Sequence, residues 1–493
     1  MIFNLEELES PELKSDACII GGGAAGITLA RKLGSLGHDV ILAEGGSLKY
    51  EQQSQDLYQG KVVGDQYYDL MATRLRFFGG ATNHWAGHYA PLHSYDFTNK
   101  VPGIQTAWPI DYSAFNSYID KAREIFPFRQ ITPSKPVLDG MFEKIDHITS
   151  PSPARFGPKF VDEIKASQNI RLILHANLTG VEHTDGNITK AIFKDFLNKS
   201  LKISAKHFVL ACGGIENPRL LLHLNETLNT NFGNKSGLLG KKFTEHPMGN
   251  IGQFIITNQS NYDALNFRKE DIFEVDPHSD FFQPSEQFFK KHKTLNFFMA
   301  MVRPSEPEPE VHNQIMNDLL CTAPSLGEKI SSRLLKKQLQ CYGTILTSQE
   351  QEPIEDNRIA LGEEKDQFGI RRPILYWRRT STDREHIKKI AIEFARLLAE
   401  KDIARIKLYD WVVDSSLPVK TRRPGGHHHI GATRMSDGEE SGVVDTNCLL
   451  YGTENFYVAG SSVFPSIGTA SPTLPLVAMT LRLADHLNQQ LIA

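Results

Sequence analysis

Between Asp16 and Gly45 the apolar positions fall into three blocks of different period. Ala17-Cys18-Ile19-Ile20 is an unbroken apolar run of strand length, ending in Gly21-Gly22-Gly23-Ala24-Ala25-Gly26. From Ile27 to Gly37 the apolar residues recur at helical spacing (Ile27, Ala30, Leu33 and Leu36, with Leu29 beside them). Val40-Ile41-Leu42-Ala43 is a second apolar run, and it stops at Glu44. Strand, glycine turn, helix, strand and acid, in that order, predict a dinucleotide-binding βαβ unit.

The pattern then changes. Leu70 to Leu92 is rich in Gly, Asn, His and aromatic residues and has no period, which predicts an ordered loop. Tyr112 to Ile125 reads as a helix opened by Asp111 after Pro109. From Ile170 to Phe208, short runs divided by the turn Asp185-Gly186-Asn187 predict a small antiparallel element. Phe208 to Ala211 is another buried strand, closed by Cys212-Gly213-Gly214, and a helix is expected to begin at Pro218. Gly240 to Thr421 has a different texture, with a charged, proline-containing stretch at Arg303 to Glu310 and a helix at Asp383 to Lys401. After Pro424 the glycine-rich, apolar character returns. The expected architecture is therefore α/β: a discontinuous Rossmann-like FAD- or NAD-binding domain from 1–92, 170–240 and 422–493, interrupted by an α+β substrate-binding domain and cap from 93–169 and 241–421. No internal repeat is visible.

Composition narrows the function classes. The length of 493 residues corresponds to roughly three domains. With 54 Lys+Arg against 58 Asp+Glu there is no basic surplus, which argues against nucleic acid or an anionic membrane as partner. Hydrophobic content of 40% with 28 Phe is ample for a buried core. The five cysteines (Cys18, Cys212, Cys321, Cys341 and Cys448) stand singly, which is neither a disulfide framework nor a CxxC metal site. Met1 to Asp16 lacks a signal-peptide core, and no window approaches the ~20 apolar residues of a membrane span. A soluble, cytoplasmic protein is expected.

Three groups of residues carry candidate chemistry. Gly21, Gly23 and Gly26 form GxGxxG, whose backbone can approach a pyrophosphate at a helix N-terminus. Glu44 stands at the offset for a ribose hydroxyl, and Ala24-Ala25 with that acid suits FAD or NAD, not NADP. His427, His428 and His429 are consecutive; in an extended segment the middle ring would point away from its neighbours, which disfavours metal ligation. Val458-Ala459-Gly460-Ser461-Ser462 reads as a strand ending in a tight turn. Asp445 either orients a cofactor hydroxyl or is a solvated turn acid, and Gly46 to Tyr68 is long enough to close over a site.

Several distant segments share one resemblance. Arg76-Phe77-Phe78-Gly79-Gly80-Ala81-Thr82-Asn83-His84-Trp85-Ala86-Gly87 resembles the flavin-cradling loop of the glucose-methanol-choline (GMC) oxidoreductases. Phe208 to Arg219 resembles that family's second glycine signature, and His428 to Met435 with Asn455 to Leu483 its C-terminal signature. Phe243-Thr244-Glu245-His246-Pro247 and Asn357-Arg358-Ile359 also fit. The resemblance implies FAD, with Gly21, Gly23, Ala25, Gly26, Glu44, Gly79, Gly80, Thr82, Asn83, His84, Val181, Gly213, Gly460, Ser461 and Thr473 as cofactor-binding residues. At the position of His84 pyranose-oxidase-like members attach the flavin covalently; packing beside the flavin without a bond is the alternative. The family's catalytic histidine lies three residues before the glycine of Gly-x-x-x-Met, here Gly431 and Met435, which selects His428, with His429 second. His246 matches a position expected to be structural.

One departure stands out. Where the family has His or Asn before Pro-Thr, this chain has Ser471-Pro472-Thr473. A serine hydrogen-bonds substrate over a shorter reach and is no base at neutral pH without activation. The resemblance implies oxidation of a hydroxyl carbon in a sugar, polyol or natural-product intermediate, by hydride transfer to FAD. Dioxygen, a quinone or a redox protein would be the electron acceptor. Two rivals stand beside it: non-oxidative (lyase- or isomerase-like) chemistry on the same fold, suggested by Ser471, and a flavin-binding protein without catalysis.

Overall fold

The computed structural model describes residues 1–90, 92–99, 101–126, 134–145, 148–149, 153–265, 279–302, 329–330, 333, 342–421 and 423–492. Arg303 to Glu310, Cys321 and Cys341 lie outside them. The predicted βαβ unit is present as strand Glu12–Ile20, helix Ala24–Ser35 and strand Val40–Ala43. Cys18, Ile19, Leu29, Ala30, Leu33, Ile41 and Leu42 have no solvent exposure, so the two apolar runs are covered on both faces. That is the condition under which a strand reads as a continuous apolar run rather than an alternation.

An eight-stranded sheet grows around this unit. Its parallel part runs Ile2–Asn4, Ile170–Leu174, Val40–Ala43, Glu12–Ile20 and Ser200–Leu210, with Phe456–Val458 also parallel to Ser200–Leu210. Asn187–Lys194 and Asn177–Thr184 extend it antiparallel through the turn at Asp185-Gly186. The expected antiparallel element therefore begins at Asn177. Ile170–Leu174, buried along nearly its whole length, joins the parallel sheet instead. The helix expected from Pro218 opens earlier, at Gly213, and runs to Leu228. The Asn217 side chain fixes that opening: its Oδ1 accepts from Cys212 N–H at 2.8 Å, and its Nδ2 donates to Ala459 O at 3.0 Å.

A second, antiparallel sheet has the order Ala404–Leu408, Met248–Ile256, Tyr342–Gln349, Phe297–Val302, Ser279–Pro284, Phe142–Ile145, Lys135–Val137. The helix Ser381–Glu400, opened by a Thr380–Asp383 capping box, lays Ile387, Ile390, Phe394 and Leu397 into one core with Phe142, Phe282 and Met299 of this sheet. A three-stranded sheet of Arg358–Lys365, Arg371–Trp377 and Lys61–Gly64 completes the α/β architecture. The stretch 93–169, expected with the substrate-facing part, divides. Helices Tyr112–Arg123 and Phe156–Ala166 place Phe115, Ile119, Phe156 and Phe160 in the core of the parallel sheet, while Lys135–Val137 and Phe142–Ile145 join the second sheet. Among the described residues no helix is long and apolar enough to cross a membrane.

One ion cluster on the capped helix carries a pH signature. Glu393 accepts from Arg396 Nε and Nη2 at 2.9 Å each and from Lys291 Nζ at 3.0 Å. Those bonds, Arg396 first, hold its pKa down to about 2. A carboxylate whose folded-state pKa is depressed stabilises the fold above its unfolded value, ~4.3, and loses that contribution as pH falls toward the folded value. Glu393→Gln is therefore expected to be less stable than the wild type at neutral pH. Urea denaturation repeated down the pH scale should show the gap closing between about pH 4 and pH 2.

Candidate active site

A cavity of about 570 Å³ opens at the carboxyl ends of the parallel strands and collects most of the residues singled out from the sequence. At its first end the glycine turn is shaped for two different purposes. Gly21 has φ +110°, and a Cβ there would lie 2.6 Å from the Ala211 carbonyl oxygen; one on Gly26 would lie 1.8 Å from the Gly21 oxygen. Those two glycines let helix Ala24–Ser35 seat against the sheet. A Cβ on Gly23 would meet nothing within 4 Å, and Gly23 lines the cavity. The protein does not need glycine there for its own packing, so the bare backbone is left for a ligand at the helix N-terminus. Gly213, with φ +88° and equally open space, repeats the arrangement at the second glycine signature.

Glu44 is 6% exposed and its two oxygens accept the N–H groups of Gly22 and Gly46, each at 2.7 Å. This holds the acid at the cavity wall. Arg76 donates to Ser54 Oγ at 3.0 Å and to Asn177 Oδ1 at 2.8 Å. Ala176, Asn177 and Leu178 line the wall here, whereas Val181 does not. It is buried at 4% exposure and pairs with Ala191, three residues farther along a strand that rises ~3.4 Å per residue.

A buried charge network also lines the cavity. Arg74 donates to Glu216 Oε1 and Arg219 to Glu216 Oε2, both at 2.8 Å, and Arg219 also reaches Asp366 Oδ2 at 2.6 Å. Burial alone would raise the Glu216 pKa, but Arg219 and Arg74 hold it below the usual value. All four side chains contribute to the cavity wall.

The loop, the histidines and the start of the last helix complete the cavity, the loop joined to the glycine turn by Gly79 N–H donating to Gly22 O at 2.8 Å. Thr82 Oγ donates to Gly79 O at 2.6 Å and accepts from Phe156 N–H at 3.2 Å. Asn83 Nδ2 donates to Phe78 O at 2.9 Å, while its buried Oδ1 has no partner among the described residues. Gly80, Thr82 and His84 line the cavity; Gly79 and Asn83 shape the turn behind them. Burial, and then Arg155, lower the His84 pKa. Gly460, Ser461, Ser471 and Thr473 line the wall, Thr473 as the first residue of helix Thr473–Ile492. Asp445 instead closes a turn, accepting from the N–H groups of Asn447 and Leu449 at 2.8 Å each.

His427, His428 and His429 all line the cavity, contrary to the alternation expected of an extended segment. The reason is backbone: His427 sits in the left-handed region at φ +61°, which breaks the alternation. His428 is half-buried, with Nδ1 2.7 Å from His246 Nδ1. His429 is buried, its carbonyl accepting from Ser461 Oγ at 2.7 Å and its Nε2 without a partner among the described residues. Burial pushes both rings well below the usual histidine pKa, helped by His246 for His428 and by Arg74 for His429. Both are neutral near pH 7 and able to act as bases. Tyr67 and Tyr68, at the end of the stretch read as a possible closing segment, tie it to this loop through Glu245 and through Gly425 O at 3.0 Å. Sequence reasoning missed the roles of Arg74, Glu216 and Glu245, since each is defined by a partner far away in the chain. Among the described residues no three His, Cys, Asp or Glu side chains come together as a metal site.

Fold and cavity together define an α/β protein built to hold a dinucleotide against a group of neutral histidines. Residues 353–480 match the family model described as GMC oxidoreductase. The large subunit of fructose dehydrogenase from Gluconobacter japonicus is 24% identical over 314 residues, covering 60% of this chain and 50% of that protein. Pyranose 2-oxidase from Lyophyllum shimeji is 23% identical over 297 residues, covering 57% and 44%. The chain thus spans about half the length of the curated relatives it matches. Among solved structures, pyridoxine 4-oxidase from Mesorbium loti superposes with a TM-score of 0.57 at 14% identity, covering 96% of this chain and 99% of that one. Formate oxidase from Aspergillus oryzae RIB40 gives 0.56 at 16% identity, covering 98% and 99%. Over residues 353–480 the chain is similar to the GMC oxidoreductases, the family that its sequence motifs resemble, and the solved structures share its fold. The open glycines, Glu44 and His429 Nε2 fit FAD, the cofactor that the resemblance to the GMC oxidoreductases implies.

Proposed function

We propose that this protein oxidises a hydroxyl carbon of a sugar, polyol or related hydroxylated ring to a carbonyl. The observation that carries the reading is His428: a neutral imidazole on the wall of the same cavity as the glycine cradle and Ser471. When bound, FAD supplies the hydride acceptor. His428 takes the hydroxyl proton, and Ser471 hydrogen-bonds the substrate oxygen where relatives carry a longer side chain. His429, more buried than His428, is the second candidate for the base. The names of the curated relatives, a fructose dehydrogenase and a pyranose oxidase, favour a sugar-like substrate. Dioxygen, a quinone or a redox protein would take the electrons onward.

Anaerobic addition of a panel containing D-fructose, D-glucose and simple polyols, followed at the flavin absorption band, tests this. Bleaching by at least one member supports oxidation. Conversion of a panel member without any bleaching would favour the non-oxidative alternative that Ser471 raises. His84 is the residue through which a covalent flavin link would run. After acid precipitation, His84→Ala is expected to release all colour to the supernatant, and any colour left in the wild-type pellet measures the linked fraction.

A further inference from the structure

The segment Thr244-Glu245-His246-Pro247, far from the histidine triplet in sequence, meets it in space. His246 is 2% exposed, with Nε2 2.8 Å from the Gly468 carbonyl oxygen and Nδ1 2.7 Å from His428 Nδ1. A carbonyl oxygen only accepts, so His246 Nε2 must carry a hydrogen. Burial pushes the His246 pKa down to about 4, so near pH 7 the ring is neutral and has one N–H only. Its Nδ1 is then an acceptor, and the hydrogen in the contact between the rings belongs to His428 Nδ1. His428, also neutral, is left with its lone pair on Nε2.

We propose that His246 is a positioning residue that fixes His428 as the Nδ1–H tautomer, leaving Nε2 as the proton-accepting nitrogen in the cavity. The proposal rests on the reading of His428 as the base. Which nitrogen of a histidine carries the proton is set by the hydrogen bond the other nitrogen makes. Without an acceptor at Nδ1, the ring is free to adopt the Nε2–H form, which cannot take a proton at that atom. In the proposed arrangement the substrate's hydroxyl proton ends on Nε2, while Nδ1 keeps its own hydrogen, still donated to His246.

The neighbouring Glu245 holds the same pair by the main chain. Its Oε1 accepts from the N–H groups of His246 (2.7 Å), His428 (2.8 Å) and Gly426 (3.1 Å), and its Oε2 accepts from the Tyr67 hydroxyl. Gly426 covers the His428 ring so closely that a Cβ would lie 3.0 Å from ring atoms. Ring and backbone are thus fixed independently.

Two variants separate tautomer control from packing. His246→Asn places a carbonyl oxygen near the position of Nδ1 and preserves the acceptor, whereas His246→Leu has none. With the fastest-reducing sugar of the panel, the Leu variant should reduce its flavin roughly 10²-fold more slowly than wild type, and the Asn variant within about tenfold of it. In ¹⁵N-histidine-labelled wild-type holoenzyme, His428 should show a protonated Nδ1 and a lone-pair Nε2, a signature redistributed in the Leu variant. A wild-type signal for Nε2–H overturns the proposal, as does an Asn variant of native flavin spectrum that is as slow as His428→Ala. An His428→Ala enzyme that reduces flavin at the wild-type rate would instead sink the base reading itself, while the nitrogen spectrum would still report the tautomer.

Discussion

His428→Ala is expected to keep a native flavin spectrum and to lose flavin reduction by substrate almost completely. The substitution removes the neutral imidazole from the cavity wall but none of the glycine cradle, Glu44 or the Arg74–Glu216 network. A positioned general base typically contributes ~10²–10⁴-fold to a rate, and Ser471 has no means of replacing it at neutral pH. Anaerobic stopped-flow reduction at saturating sugar measures the loss without interference from the electron acceptor. A variant that bleaches at the wild-type rate would show that proton removal belongs to another group, with His429 the next candidate on the cavity wall.

The second large effect is on stability. Glu216→Ala would leave Arg74 and Arg219, which are 7% and 2% exposed, without the carboxylate that both share. Asp366 still answers Arg219, whereas Arg74 keeps, among the described residues, the carbonyl oxygens of Tyr58 and Leu70 and the face of the Tyr58 ring, with no carboxylate. Breaking a buried ion pair by removing one partner costs about 3–5 kcal/mol, because it strands a buried charge. The same residues line the cavity, so weaker FAD retention should accompany the lower stability. Thermal unfolding and the flavin-to-protein absorbance ratio report the two effects separately. Unchanged values for both would mean that the network is solvated.

The glycine cradle was legible because everything it needs is local. Gly21, Gly23, Gly26 and Glu44 lie within one βαβ unit, and the period of the surrounding apolar residues reports backbone state directly. Helix Ser381–Glu400 was legible for the same reason, its capping box and apolar stripe being contiguous. What escaped was convergence. His246 and His428 are 182 residues apart, and Arg74 and Glu216 are 142 apart. No periodicity joins loops at that distance, so a resemblance could mark His428 while leaving its partner in the structural class. The histidine triplet failed differently: a left-handed residue that is not glycine is unusual, and nothing around His427 announced it. Val181 was a near miss, since the cavity meets its strand at Asn177 and Leu178.

The most direct test of the central claim is the visible absorption spectrum of the purified protein, before and after incubation with FAD and removal of the excess. The two bands of a protein-bound oxidised flavin are expected, because the open glycines, Glu44 and the neutral histidines line one cavity suited to that cofactor. A protein that stays colourless after FAD has been offered would contradict it, and the cavity would then have to be assigned to another ligand.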